Sequence, residues 1–468
     1  MNKFTIFILL ALLCWPNMEV NGQRAVVYPE YTIQPGDSLG YISSLFGTTV
    51  EEISRINNLS DPDLVSPGQV IKIPSYQGYE GTLELITSDL GESFSLLPIK
   101  YRTDEQTLIK INNILVPTQI YVGSRLIILR PEESSIINPV AKMKRTVSLL
   151  ETAIGNNLNQ HVLSLINKQS NMNLILPDDV LFAPIPADKT EIDLYAPVLQ
   201  DVQLYPLPLV QGGTAVVAIN SSQAVKLTGS IGEYPLTFFS PSAGQYYALQ
   251  GIHALAEPGL VNFSLSVTSE NGEINTYSQQ VLITPGVFDE DPALIVDPAT
   301  IDPSITEPEN ELVSELISQK TPTRYWSGVF TSPAYYQEYN SLFGTRRRYN
   351  DDPKIYFHTG VDFAGGLTLP ITAPAPGQVV FAGPLTVRGN AIFIDHGWGV
   401  FSGFFHQDTL KVKVGDVVDV GQQIGTVGNT GRVNSAGDYY GAGAHLHWEI
   451  WVNGIQVDPL DWLYRDYP

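Results

Sequence analysis

Three stretches in the first part of this chain align at a constant offset of 55 residues. Ile56-Asn57, Ile111-Asn112 and Ile166-Asn167 fall in register, as do Gly36-Asp37-Ser38 and Gly91-Glu92-Ser93. The closing apolar runs follow the same spacing: Ile71-Lys72-Ile73, Leu126-Ile127-Ile128 and Leu181-Phe182-Ala183. A repeat this short is one small folding unit used in series. In the first copy, residues 31–75, a helix is predicted over 39–46, stopped by Gly47. Thr48 and Thr49 can cap a second helix over 50–57, and Glu51 and Glu52 suit its first turn. The unit reads β-α-α-β. The copies at 86–131 and 145–187 drift from the pattern, and the third has Thr146-Val147-Ser148 where the first has Gly-Asp-Ser.

This unit resembles the LysM domain over its whole length. The resemblance implies a small α+β fold that binds glycans containing N-acetylglucosamine. The groove would lie between the loop after the first strand (Gly36, Asp37, Ser38) and the loop before the last (Leu64, Val65, Ser66).

Composition narrows the rest. The chain has 468 residues, enough for about three domains. Its 39 glycines, 33 prolines and 23 tyrosines favour turn-rich β modules, so a multidomain, mainly β protein is expected. A net charge of -22 argues against nucleic acid and against docking on anionic lipid. Residues 1–22 read as a signal peptide, with Lys3, an apolar run over 4–14 and a small residue, Gly22, at the cleavage site. The run is shorter than the ~20 residues that span a bilayer. Its removal would take away the one cysteine, Cys14, leaving no disulfide chemistry. No later segment looks able to span a membrane. The expectation is a monomer that is secreted or held in the cell envelope.

Over residues 192–288 helical periodicity disappears. Phe263, Leu265 and Val267 alternate with polar residues, Asn271-Gly272 predicts a hairpin turn, and alternation resumes through Tyr277, Val281 and Ile283. An immunoglobulin-like β-sandwich is the natural reading. His253 and His161 lack acidic or histidine neighbours and read as structural. Residues 289–310 are proline-spaced and acidic with no Lys or Arg, the composition of an extended linker. A short helix over about 311–319 should follow.

The chemistry lies in residues 325–468, an all-β stretch of short strands and Gly-rich turns. G-A-H-L-H-W-E, ending at Glu449, alternates as a strand does, so His445 and His447 should project to one side. Upstream stand H-T-G-V-D (His358 to Asp362), A-I-F-I-D-H-G and F-F-H, which ends at His406. Two imidazoles and a carboxylate can hold zinc with a fourth position open to water, and further histidines can move protons during amide hydrolysis.

The order F-G-x-R, H-x-x-x-D, x-x-H, H-x-H resembles the lysostaphin-type, or LytM-like, zinc metallopeptidases over about residues 340–462. That resemblance assigns one Zn2+ per chain to His358, Asp362 and His447. It makes His445 the general base and His406 the transition-state stabiliser, with the two roles open to exchange or sharing. Asn390 would lie near the site and contact substrate, and His396 would be structural. Two departures stand out. Phe404 replaces the family's usual tyrosine, and residues 434–442 are inserted just before H-L-H.

The implied function is an exported metalloendopeptidase cutting peptidoglycan stem peptides or cross-bridges, tethered to wall glycan by LysM. A closed structural zinc site would need a fourth protein ligand. A non-haem iron oxygenase usually places its carboxylate two residues after the first histidine, not four. The alternative is a non-enzymatic envelope protein that binds glycan and regulates another wall hydrolase, although such proteins typically lose metal ligands.

Overall fold

The computed structural model describes residues 26–130 (except 91, 93, 95, 96, 115 and 117–119), 138–142, 180–183 and 199–468 (except 297, 337, 351 and 434–442). The expected signal peptide, the expected insert at 434–442, His161 and nearly all of the expected third repeat lie outside the described residues. Two strands of that repeat region, Asn138–Lys142 and Val180–Ala183, pair antiparallel. The chain divides into two compact units, Met1–Glu84 with Leu129–Glu133, and Leu85–Ile128 with Ser134–Pro468.

In the first unit the helices run Leu39–Phe46 and Val50–Asn57, as the sequence predicts. Ser38 Oγ accepts the Tyr41 N–H and Thr49 Oγ1 the Glu52 N–H, capping two otherwise orphaned helix starts. Gly47 ends the first helix in the left-handed region at φ 63°, where a glycine is unstrained. Leu39, Ile42, Phe46 and Ile53 are buried with Ile71 of the closing strand and Ile73 just beyond it. Asn57 fastens helix to strand: its Nδ2 donates to Lys72 O, and its Oδ1 accepts the Lys72 N–H.

The second unit begins with the second repeat, whose Asn112 makes the same pair of bonds to Ile127, 55 residues on from the first. Next comes a two-sheet β-sandwich. One sheet is led by the hairpin Gly259–Ser269 and Ile274–Thr284, with Gly272 at φ 82° in its turn. The other is centred on Thr214–Ser221. Val202, Leu204, Val217 and Ile219 meet Phe263, Leu265, Val267 and Val281 in one core.

The C-terminal sheet carries the strands Val361–Ala364, His445–Val452, Val400–Leu410 and Gly389–Gly397 side by side. Leu446, Trp448, Ile450 and Val452 turn into its main core and are fully buried. Burying each aliphatic among them contributes about 1.5–3 kcal/mol. The alternate residues His445, His447, Glu449 and Trp451 therefore face the opposite side.

Two features differ from the sequence reading. The sandwich is not separated from the C-terminal domain: Phe239 stacks on Trp398 with ring centroids 5.6 Å apart, and Asp458 N–H donates to Gly212 O at 2.7 Å. Residues 289–310 are not a free, extended linker. Glu290 and Leu294 bridge to Arg346 and Tyr349, and a helix starts at Pro303 and runs to Ile317, eight residues ahead of the predicted start. Its Val313 and Ile317 cover Phe393, Phe401, Phe405 and Trp451 on the outer face of the sheet. Three carboxylates of the acidic run, which would repel itself in isolation, are paired with arginines: Asp291 with Arg347, Glu290 with Arg348 and Glu309 with Arg388.

Candidate metal centre

Sheet register builds the centre. Asp362 lies directly opposite His447 on one neighbouring strand and Phe405 lies opposite it on the other. All three side chains therefore share a face. Phe405 stacks on the His447 ring, with centroids 5.3 Å apart and planes at 12°. His358 enters from the loop before Asp362. Gly360 between them packs so closely that a Cβ would come within 2.9 Å of His447 Nε2.

The ligand atoms His358 Nε2, His447 Nδ1 and Asp362 Oδ1 lie 2.8 to 3.0 Å from one another. All three residues are buried and form a group able to hold a metal ion. His445 Nε2 approaches the same Asp362 oxygen at 3.6 Å. The His406 and His445 rings stand 4.9 Å apart.

Each imidazole is anchored through its other nitrogen. His358 Nδ1 donates to Leu342 O at 2.9 Å, His406 Nδ1 to Thr430 O at 2.7 Å, and His445 Nδ1 to Gly443 O at 2.6 Å. His447 Nε2 donates to Glu449 Oε1 at 3.1 Å. A hydrogen bond at one ring nitrogen leaves the second with its lone pair. Ligands on a tetrahedral zinc with bonds of about 2.0–2.1 Å sit roughly 3.3 Å apart, close to the spacing here. The donor set thus fits a zinc ion. Two histidines and one carboxylate leave a fourth position open among the described residues.

The electrostatics follow from burial. Burial would raise the Asp362 carboxyl, but His358 and His445 beside it, and a hydrogen bond from His447, hold it well below the carboxylate range. Burial also opposes charge on His447. Its bonds to Asp362 and Glu449 outweigh that and lift it to about 9 in the metal-free protein, so bound metal must displace a proton. Burial pushes His358 down, and pushes His406 well down with help from His445 and His447.

His406 reaches the centre through a backbone irregularity. Phe404 and Phe405 obey strand alternation, Phe404 entering the core and Phe405 the outer face. The following bulge puts His406 at φ 59°, a left-handed conformation costing roughly 1–3 kcal/mol, and brings it to the same side as Phe405. Its N–H donates to Arg388 O. Arg388 in turn is held by Glu309, which accepts the N–H groups of Val387 and Arg388 and the guanidinium.

Asn390 spends its side chain on the main chain, donating to Gln407 O at 3.0 Å, and so braces strands rather than reaching into the cleft. His396, buried between Pro376 O and Ser402 Oγ, has no role in the centre. The glycan-site candidates lie together in the first unit, where Ile33 pairs with Gly68 and Gln69 across the two loops. Asp37 accepts from Tyr31 and from the Gln34 N–H, and Ser38 caps its helix, so both side chains serve the fold. Leu64 is 77% exposed.

Sequence reasoning missed Glu449, Arg347 and Glu309. The alternation that pairs His445 with His447 extends to Glu449 and could have found it. Nothing in the sequence signals the other two. A cleft of about 1180 Å³ opens over the centre, with His358, His406, His445 and His447 in its lining and Asn310, Tyr349 and Arg432 on its walls.

Residues 356–459 match the model of peptidase family M23, and residues 31–74 and 91–129 match the LysM domain. The chain is 34% identical to peptidoglycan DD-endopeptidase ShyC of Vibrio cholerae over 128 residues, 27% of this chain and 28% of that protein. It is 38% identical to murein hydrolase activator NlpD of Salmonella dublin over 105 residues, 22% of this chain and 26% of that one. The match thus spans little more than a quarter of each relative. A putative peptidase M23 from Pseudomonas aeruginosa aligns over 55% of this chain and 94% of its own at 24% identity, with a TM-score of 0.40. Residues 356–459 are therefore a peptidase family M23 domain, carried behind two LysM domains.

Proposed function

We propose that this protein is an exported zinc metalloendopeptidase that hydrolyses peptide bonds in peptidoglycan and is held at the polymer by its LysM region. The observation that carries this reading is the convergence of four anchored imidazoles on one buried carboxylate at the floor of an open cleft. His358, Asp362 and His447 would hold the ion, which when bound supplies a Lewis acid and lowers the pKa of water.

The chain's own residues do the rest. His406 and His445 each present a bare Nε2, because each Nδ1–H is committed to a main-chain carbonyl. Either can accept a proton from attacking water, and the imidazolium so formed can donate from Nε2 to the oxyanion or the leaving amine. A neutral His406 has no Nε2–H to donate, so sharing of the two roles fits better than a fixed stabiliser. Glu449 holds the tautomer of His447 as a carboxylate behind a histidine ligand does.

The LysM units would keep the cleft at high local substrate concentration without adding contacts to it. With Asp37 and Ser38 committed to the fold, glycan contacts would fall to backbone groups of these loops and to exposed Leu64. Leu64→Glu should reduce retention of the full chain on insoluble peptidoglycan.

Purified protein incubated with peptidoglycan should release new amino termini. Chelation should stop the release and added zinc restore it, and full activity in the chelated protein would sink the mechanism. The similarity to an activator protein makes regulation of another hydrolase the second reading. It would take over if the zinc-loaded chain released no amino termini but stimulated a separate hydrolase.

A further inference from the structure

Asp362 has two carboxylate oxygens with different neighbours. Oδ1 faces His358, His447 and His445, whereas Oδ2 lies 3.6 Å from Arg347 Nη2. Arg347 is itself pinned, its Nε donating to Asp291 Oδ2 at 3.0 Å and its Nη2 to Ser341 Oγ at 2.6 Å. Its side chain is only 13% exposed. The backbone supports the same geometry: Arg347 pairs with Tyr356, and Ser341 pairs with Asp362. Neither Arg347 nor Asp291 falls within the matched peptidase segment, and Asp291 belongs to the stretch whose composition reads as a linker.

A guanidinium is a planar fork that cannot lose its charge, so an arginine clamped on one edge by a carboxylate presents its other edge in a fixed direction. Here its Nη2, which also donates to Ser341 Oγ, stands 3.6 Å from Oδ2, an ion-pair contact rather than a hydrogen bond. We infer that Arg347, locked by Asp291, is a positioning residue that reserves Oδ2 and leaves Oδ1 as the ligand oxygen. Residues 289–296 are thereby part of the metal centre and not a tether. Without the fork, Asp362 could rotate to offer either oxygen, and the ligand set would lose its preorganisation.

This inference rests on the metal reading of the same site, and the experiment separates the two. The full chain is stripped of metal, and its zinc affinity is measured by competition with a chelating dye. Cobalt(II) absorption then reports coordination geometry independently of activity. Arg347→Met should weaken zinc binding about 10–100-fold, the range found for partners behind a ligand, and shift the cobalt bands. Arg347→Lys, which keeps the charge but not the fork, should fall between Arg347→Met and the unaltered protein. Asp291→Asn, at a more exposed site, should weaken binding several-fold and serves as the readout should Arg347→Met fail to fold. Unchanged affinity and cobalt spectrum in Arg347→Met, or in both Asp291→Asn and Arg347→Lys, would overturn the inference. Absence of zinc binding by the unaltered chain would overturn the metal reading instead.

Discussion

The C-terminal sheet buries histidines in two niches that differ in one respect. His396 uses both ring nitrogens on neutral partners, donating from Nδ1 to Pro376 O and accepting at Nε2 from Ser402. Full burial pushes it down to about 4, so it stays neutral at working pH. His358, His406, His445 and His447 each anchor one nitrogen and turn the other toward the site around Asp362. Burial alone does not mark a histidine as structural or functional. The second nitrogen does: satisfied in one niche, aimed at a shared centre in the other.

The sharpest way to break this contrast is His447→Ala. It should reduce amino-terminus release from peptidoglycan to background and abolish tight zinc binding, while a functioning variant would remove His447 from the ligand set. Next in size, His406→Gln should lower kcat by about 10²–10⁴-fold, the range for a general acid or base, with zinc affinity almost unchanged. A large loss of zinc binding in that variant would make His406 a ligand instead. Third, Glu309→Gln tests the support of the His406 loop. It leaves the largely buried Arg388 guanidinium without its carboxylate, though still on Asn310, and should cost about 1.5–3 kcal/mol in chemical denaturation. A cost near zero would mean that the helix is dispensable to the loop.

The smallest effect concerns His396. Its folded pKa lies below the ordinary 6.5, so the unfolded chain takes up the proton first as pH falls. Its contribution is complete above pH 6.5 and is lost as pH drops toward 4, a change of about 3 kcal/mol. Denaturation series between pH 7 and 4 should show this loss flattened in His396→Gln. An unchanged pH slope would mean that His396 is not held neutral by its niche.

Much of the local architecture was legible because it depends on near neighbours in sequence. The offset of 55 reappears as matching side-chain bonds, Asn57 to Lys72 and Asn112 to Ile127. Helix 39–46 runs over the predicted residues and stops at Gly47 as expected, and Asn271-Gly272 turns the hairpin. The linker was misread for a physical reason. Acidic, proline-spaced residues look self-repelling until Arg347, Arg348 and Arg388 meet three of them, and those contacts span 56 to 79 positions. Pro303 and Pro308 likewise argue against a helix, yet Pro303 sits at the first turn, where a missing N–H is harmless, with Asp302 as its cap.

The sequence by itself determined which side chains could make the centre and that His445 and His447 share a face, because strand alternation is a local rule. It determined the repeat units for the same reason. Only the tertiary structure decided that His406 belongs with them. Period two would send it into the core with Phe404, and a bulge at φ 59°, held through Arg388 by Glu309, turns it back. It also decided that Asp362 faces histidines with one oxygen and Arg347 with the other. Both outcomes depend on groups far apart in the chain, whose meeting is set by packing rather than by periodicity.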